Sequence, residues 1–213
     1  MKSLIQSLPC VEFGSLNWCY EHDIVYQRDV SSPINYGIEY FQHYVNLSHT
    51  EMGKKLNEAR ISLVKKYCDS VLDIGVGSGI FINEFGEKAY GYDINPYAID
   101  WLKNKDVYKN PYENNEKFKA YTFWDSLEHM SNPDLILNLI PCGSYVFVSM
   151  PVFDNVLKVK SSKHYKPNEH FYYFTIKSFV KYVCSLNFHF VEFNDLESRI
   201  GRESIGTFVF AAI

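Results

Sequence analysis

The sequence predicts an α/β fold built on a mainly parallel sheet, and three observations carry that prediction. From Ser70 onward, short apolar segments alternate with segments of helical period. Between the first of these strands and the next helix, glycine takes every second position, at Gly75, Gly77 and Gly79. Near the C-terminus, residues 188–193 and 207–212 read as two strands closing the sheet as an antiparallel pair.

Taken in order, residues 1–46 are rich in Tyr, Phe and Trp and lack a clean period, which predicts irregular structure with short strands and one helix. Tyr36, Tyr40 and Tyr44 recur at four-residue spacing and would share a helical face. Such a stripe reads as packing before ligand contact. Ser48-His49-Thr50-Glu51 matches a capping box, and Met52, Leu56, Ala59, Leu63 and Tyr67 follow at helical spacing, so a helix is expected to about Tyr67. Strands are then expected over 71–74, 89–94, 118–124 and 145–150, and helices over 79–85, 96–103, 132–139 and 175–186. Pro96 sits in a first turn, where its missing amide costs nothing. Residues 106–117 are polar and turn-rich, leaving little room for a further full strand and helix.

The bulk numbers limit the function classes. At 213 residues the chain is one large domain, or a domain with a modest lid. A formal net charge of -4 advertises no surface for a phosphate backbone, which disfavours nucleic acid without excluding a local patch. No apolar run approaches the roughly 18 residues of a membrane span, and the N-terminal apolar run is too short for a secretory signal. Five cysteines without a close pair fit neither a zinc knuckle nor a disulfide framework, so a reducing, cytoplasmic setting is expected. Aromatics at 17% read mainly as bulky core, with the alternative that some line a pocket for a flat or cationic ligand.

The glycine turn carries the chemistry. Glycine turns the chain tightly and lets a ligand approach backbone that a β-carbon would shield. Asp93 closes the next strand, where a carboxylate can accept both hydroxyls of a ribose. A dinucleotide site wants G-x-G-x-x-G. Here the third glycine comes one residue early, and Asp73 places an acid just before the turn. That acid would repel a pyrophosphate and suits the α-ammonium of a methionine moiety.

Val71-Leu72-Asp73-Ile74-Gly75-Val76-Gly77-Ser78-Gly79 resembles the first cofactor segment of the class I methyltransferases that use S-adenosyl-L-methionine, and Gly91-Tyr92-Asp93-Ile94-Asn95 resembles the second. The resemblance extends over about residues 55–213. Asp125-Ser126-Leu127-Glu128-His129 is similar to the acidic-x-x-Glu-His box of ubiquinone-type O-methyltransferases and their relatives. Pro141-Cys142-Gly143-Ser144 resembles their strand entry, and Glu169-His170-Phe171-Tyr172-Tyr173-Phe174-Thr175 their segment before a late helix. It implies a Rossmann-like, seven-stranded class I methyltransferase sandwich with an aromatic N-terminal lid (residues 1–46) and a methyltransferase domain (residues 47–213). It also implies Asp73, Gly75, Gly77, Gly79, Asp93, Ile94 and Trp124 as cofactor residues.

The acceptor side stays open at this point. Asp125, Glu128 and His129 stand at i, i+3 and i+4, so one helical turn would point all three to one side. With His170 or His164 they could hold a divalent cation, magnesium or manganese, as the equivalent box does in some relatives. Alternatively His129 or His170 is a general base without metal, assisted by Glu128, or the pair organises a loop below the cofactor. Two departures from the family pattern stand out: Lys119 occupies the place of a usual aspartate, and the short 106–117 link is expected to lack the acid that often contacts the adenine amino group. Arg199, Arg202 and Lys158 could meet an acidic substrate, although nothing in their spacing demands it. The expected function is methyl transfer to oxygen of a small-molecule or nucleotide-like acceptor. The alternatives are a degenerate methyltransferase fold that binds without catalysis, and a nicotinamide-dependent oxidoreductase.

Overall fold

In the computed structural model, which describes residues 3–27, 36–113 and 116–213, the parallel core forms where the apolar runs predict it. Helix α1 (Leu4–Ser7) is capped by Ser3, and strands β1 (Val11–Phe13), β2 (Leu16–Cys19) and β3 (Ile24–Gln27) form a meander. Helices α2 (Ile38–Ser48) and α3 (Glu51–Lys65) follow, then β4 (Val71–Ile74), α4 (Ile80–Phe85), β5 (Ala89–Tyr92) and α5 (Pro96–Asn104). The chain continues through β6 (Ala120–Trp124), a 3-10 turn (Leu127–His129), α6 (Asp134–Leu137), β7 (Tyr145–Pro151) and β8 (Tyr172–Phe174). It ends with α7 (Ile176–Cys184), β9 (Phe188–Asn194), α8 (Leu196–Ile200) and β10 (Ile205–Ala212).

The large sheet has the order β5-β4-β6-β7-β10-β9. Its first four strands are parallel, and β10 is antiparallel to both β7 and β9, as the sequence predicts. Period-two alternation sends successive residues to opposite faces. Val71, Ala120, Phe147 and Val209 pack with residues of α3, α4 and α5 on one face. Leu72, Tyr121, Val146 and Phe208 pack with residues of α6 and α7 on the other. Among the described residues the large sheet has six named strands rather than seven. Beside β5 the seventh position shrinks to one parallel bridge, Gly91 to Tyr108, because the polar 106–117 link cannot sustain a strand.

Two local expectations change. Ser48 does not cap α3: its hydroxyl donates to Val45 O at 2.7 Å and so belongs to the end of α2. Thr50 takes the cap, its Oγ1 accepting from Gly53 N–H at 3.0 Å. The second difference is β8, a strand before α7 that is not among those expected from the sequence. It pairs antiparallel with β3 and joins the meander into a four-stranded sheet, order β1-β2-β3-β8. Tyr172 and Phe174 of β8 enter the main core, while Tyr173 packs with Leu16, Val25, Val156 and Val159 under the small sheet. Of the expected lid, residues 1–2 and 28–35 lie outside the described residues.

Candidate active site

A cavity of about 510 Å³ lies at the carboxyl ends of β4, β5 and β6, where Ile74, Asp93 and Trp124 line it. Open parallel sheets place their ligands there. The volume is in the range of small-molecule sites.

The glycine turn forms one wall. Gly75, Gly77 and Gly79 all have positive φ, at 85°, 54° and 74°. A β-carbon at Gly75 would stand 2.6 Å from Ser126 Cβ, and Ser126 Oγ in turn donates to Ile74 O at 2.6 Å. Gly75→Ala therefore combines a left-handed backbone, worth about 1–2 kcal/mol, with a contact that must push Ser126 away. It is expected to weaken adenosylhomocysteine binding at least tenfold and to lower the melting temperature, read by calorimetry and thermal unfolding. Gly79 plays a different part. It begins α4 and packs against Trp101, where a β-carbon would meet the ring at 2.4 Å, and it does not line the cavity.

Two acids sit at the strand ends. Asp93 is 9% exposed, and its carboxylate accepts from Asn95 N–H at 2.8 Å and Gly77 N–H at 3.3 Å. Burial raises its pKa, and these backbone donors oppose the rise. Asp73 is buried and accepts from Thr122 Oγ1 at 2.7 Å. Burial pushes its carboxyl up to about 7, with Thr122 and Arg60 holding it back. Both acids line the cavity with Gly75, Gly77, Ile94 and Trp124. Ile94 is exposed at the rim, and Trp124 carries the Arg60 guanidinium 4.9 Å above its ring.

The tyrosine stripe faces the cavity, against its reading as packing. Tyr36, Tyr40 and Tyr44 all line it, and Tyr40 Oη donates to Tyr44 Oη at 3.3 Å. No residue of α2 is fully buried, so the helix lies over the opening with this aromatic face turned inward.

The acidic box divides. Asp125 has φ 55° and lies outside the 3-10 turn, so the single helical turn expected for Asp125, Glu128 and His129 does not form. Asp125 turns to two arginines instead. Its carboxylate accepts from Arg60 Nη2 at 3.0 Å and from Arg202 Nη1 and Nη2 at 2.8 and 2.9 Å. Arg60 also binds Glu197 through Nε and Nη2, and Arg202 Nη1 binds Glu197 as well. Burial alone would raise the Asp125 pKa, yet Arg202 and Arg60 hold it well below the carboxylate range. Its place in the expected ligand set is thereby corrected: two guanidinium groups already occupy it.

Glu128, His129 and His170 do come together, with one ligand atom of each within 4.8 Å of the others. Glu128 is 2% exposed, and neither carboxylate oxygen finds a hydrogen-bond partner among the described residues. Burial, with Asp125 nearby, raises its pKa well above the usual value. His129 reaches the cavity wall, with Nε2 3.9 Å from Glu128 Oε1 and Nδ1 3.8 Å from Glu169 Oε1. Burial lowers the His129 pKa, and burial together with His129 and Lys166 pushes His170 down to about 3. The His170 ring stands perpendicular to His129, centroids 4.7 Å apart. His164 lies away from this cluster, its Nε2 2.8 Å from Glu203 O. Arg199 pairs with Asp195 on the surface, and Lys158 and Lys119 are exposed.

Against known proteins, residues 41–192 match the family model described as a methyltransferase domain. The chain belongs to that family. It is a class I adenosylmethionine-dependent methyltransferase. Solved structures support the fold at low identity. A Clostridium acetobutylicum S-adenosylmethionine-dependent methyltransferase is 11% identical, covering 82% of this chain and 98% of its own, with TM-score 0.58. A Methanosarcina mazei SAM-dependent methyltransferase is 18% identical, covering 71% and 97%, with TM-score 0.52. The Synechocystis magnesium protoporphyrin IX methyltransferase, solved with bound SAH, is 13% identical, covering 86% and 90%, with TM-score 0.55. No curated protein sequence matches this methyltransferase significantly. Among its described residues no helix is long and apolar enough to cross a membrane.

Sequence reasoning missed Arg60, Ser126 and Glu197. Arg60 carried a readable signal, since it lies four positions after Leu56 and four before Val64 on the inner face of α3, where a lone cation is out of place.

Proposed function

We propose that this methyltransferase transfers the methyl group of adenosylmethionine to an oxygen of a small-molecule acceptor, with His129 accepting the acceptor's proton. The observation that carries the reading is the position of His129: it is the imidazole at the wall of the cavity that Asp73, Gly77 and Asp93 also line. Asp93 would hold the ribose hydroxyls, Asp73 the α-ammonium, and Gly75 and Gly77 would give the cofactor room at the backbone. Ile94 and Trp124 would bound its adenine and methionine ends. Residues 1–46 would act as the lid, with α2 laying tyrosines across the acceptor. The acceptor oxygen attacks the sulfonium methyl carbon in line, the carbon–sulfur bond breaks, adenosylhomocysteine leaves, and the proton goes to His129. Placing oxygen and methyl in near-attack contact supplies most of the acceleration.

A depressed pKa keeps His129 neutral at pH 7, as a base requires, and Glu128 and Glu169 flank the two nitrogens that share charge once it is protonated. The net charge of -4 favours a small acceptor over nucleic acid, and the five free cysteines suit a cytoplasmic setting. His129→Gln is expected to reduce methyl transfer about 10²–10⁴-fold while adenosylhomocysteine affinity stays within threefold. Equal loss of both, by turnover and calorimetry, overturns the assignment.

One observation favours a second reading. The two unpartnered oxygens of buried Glu128, with His129 and His170, form a donor set that suits a hard or borderline divalent cation. Such an ion, magnesium or manganese, would lower the pKa of a bound acceptor hydroxyl. Turnover that survives chelation and gains nothing from either metal removes this reading.

A further inference from the structure

The amino-terminal meander reaches the residues around His129. Antiparallel pairing of β3 with β8 runs from Ile24 opposite Phe174 to Tyr26 opposite Tyr172. One residue on, Gln27 N–H donates to Phe171 O at 2.8 Å, and Phe171 N–H donates to Glu128 O at 2.7 Å. Two backbone hydrogen bonds thus join the end of β3, through Phe171, to the turn that carries Glu128 and His129.

The Gln27 side chain works on the same segment. It is 5% exposed, and its Nε2 lies 2.5 Å from His170 O, 3.1 Å from Lys166 O and 3.2 Å from Tyr173 Oη. A primary amide has two N–H donors, so three oxygens converge on them and fix the side chain in place. The clamped stretch is itself a tight turn, with Glu169 and His170 N–H both donating to Lys166 O. From that turn Glu169 approaches His129 Nδ1 and the His170 ring stands against the His129 ring. The cavity wall near Asp73, Gly77 and Asp93 makes none of these contacts.

We infer that Gln27 is a positioning residue of the acceptor side, which fixes the Lys166–His170 turn so that Glu169 and His170 stand correctly against His129. The inference rests on His129 acting at the acceptor, and it makes β3 part of the active-site frame as well as a support for the small sheet.

The test compares wild type with Gln27→Leu, which removes both donors, and Gln27→Glu, which keeps the shape and replaces donors by acceptors. Histidine-labelled protein saturated with adenosylhomocysteine is followed by carbon–proton NMR, and adenosylhomocysteine affinity by calorimetry. Both variants are expected to move the His129 and His170 imidazole signals while those of His22, His43, His49 and His189 stay in place. Affinity should change less than threefold. Compared with wild type at the same pH, acidification that protonates the new carboxyl of Gln27→Glu should shrink the difference in its signals, because a donor is restored. Unmoved His129 and His170 signals overturn the inference, as does a matching loss of adenosylhomocysteine binding, which makes Gln27 a general determinant of folding. If Gln27→Leu does not fold, Gln27→Glu decides alone. Failure of wild type to bind adenosylhomocysteine counts against the functional reading instead, and the NMR comparison without ligand still decides on Gln27.

Discussion

Arg60→Met is expected to destabilise the protein by about 3–5 kcal/mol, the range for breaking a buried ion pair from one side. The side chains of Arg60 and Glu197 are 14% and 2% exposed, and that of Asp125 is 24% exposed. Two guanidinium groups and two carboxylates make a balanced set. Removing Arg60 leaves Arg202 to neutralise two acids, one of them almost without water. Lost packing adds to the cost, because Arg60 also covers the Trp124 ring. Urea unfolding measures the change, and a cycle with Glu197→Leu separates the causes. If the uncompensated charge dominates, the double variant should recover much of the loss. If the stacking on Trp124 dominates, it should recover little. The same substitution should raise the Asp73 pKa further, since Arg60 is one of the groups holding it down.

That network also explains which parts of the site were legible. The shape of the glycine turn and the place of Asp93 could be read because local spacing sets both. Gly75, Gly77 and Gly79 make the tight turn expected of them, at positive φ, and Asp93 directly follows β5 beside Gly77. The fate of Asp125 could not be read locally, because Arg60 and Arg202 lie 65 and 77 residues away. Spacing alone placed it with Glu128 and His129, and a left-handed residue between strand and turn undid that arrangement. The tyrosine stripe was visible as a stripe, but period tells which residues share a face and not what that face meets. β8 escaped for a related reason: three residues are too short to show a period, and its pairing partner β3 is far off in sequence, the nearest pair being Tyr172 with Tyr26. Gln27 gave no local signal either, since its partners belong to the Lys166–Tyr173 stretch.

Adenosylmethionine binding is expected to strengthen with rising pH and to level off above about 7, because of Asp73. Its carboxyl titrates at about 7 in the folded protein, against about 3.9 in an unfolded chain. A cationic α-ammonium needs the ionised form, so below the folded pKa each pH unit should cost up to about tenfold in affinity. Asp73→Asn keeps an acceptor for Thr122 but loses the charge. Its affinity should be at least tenfold weaker at pH 8 and nearly flat between pH 5.5 and 8, by calorimetry. Stability runs in the opposite sense. A folded pKa raised above the unfolded one gives stability that is full below about pH 4 and lost as pH rises through about 7. Without ligand, the Asp73→Asn variant should therefore melt higher than wild type at pH 8, with the gap narrowing as pH falls and closing only below about pH 4. A wild-type affinity independent of pH would show that Asp73 does not face the ammonium. A pH-dependent affinity that persists in Asp73→Asn would assign the titration to another group, and Asp93, whose pKa burial also raises, is the first to examine.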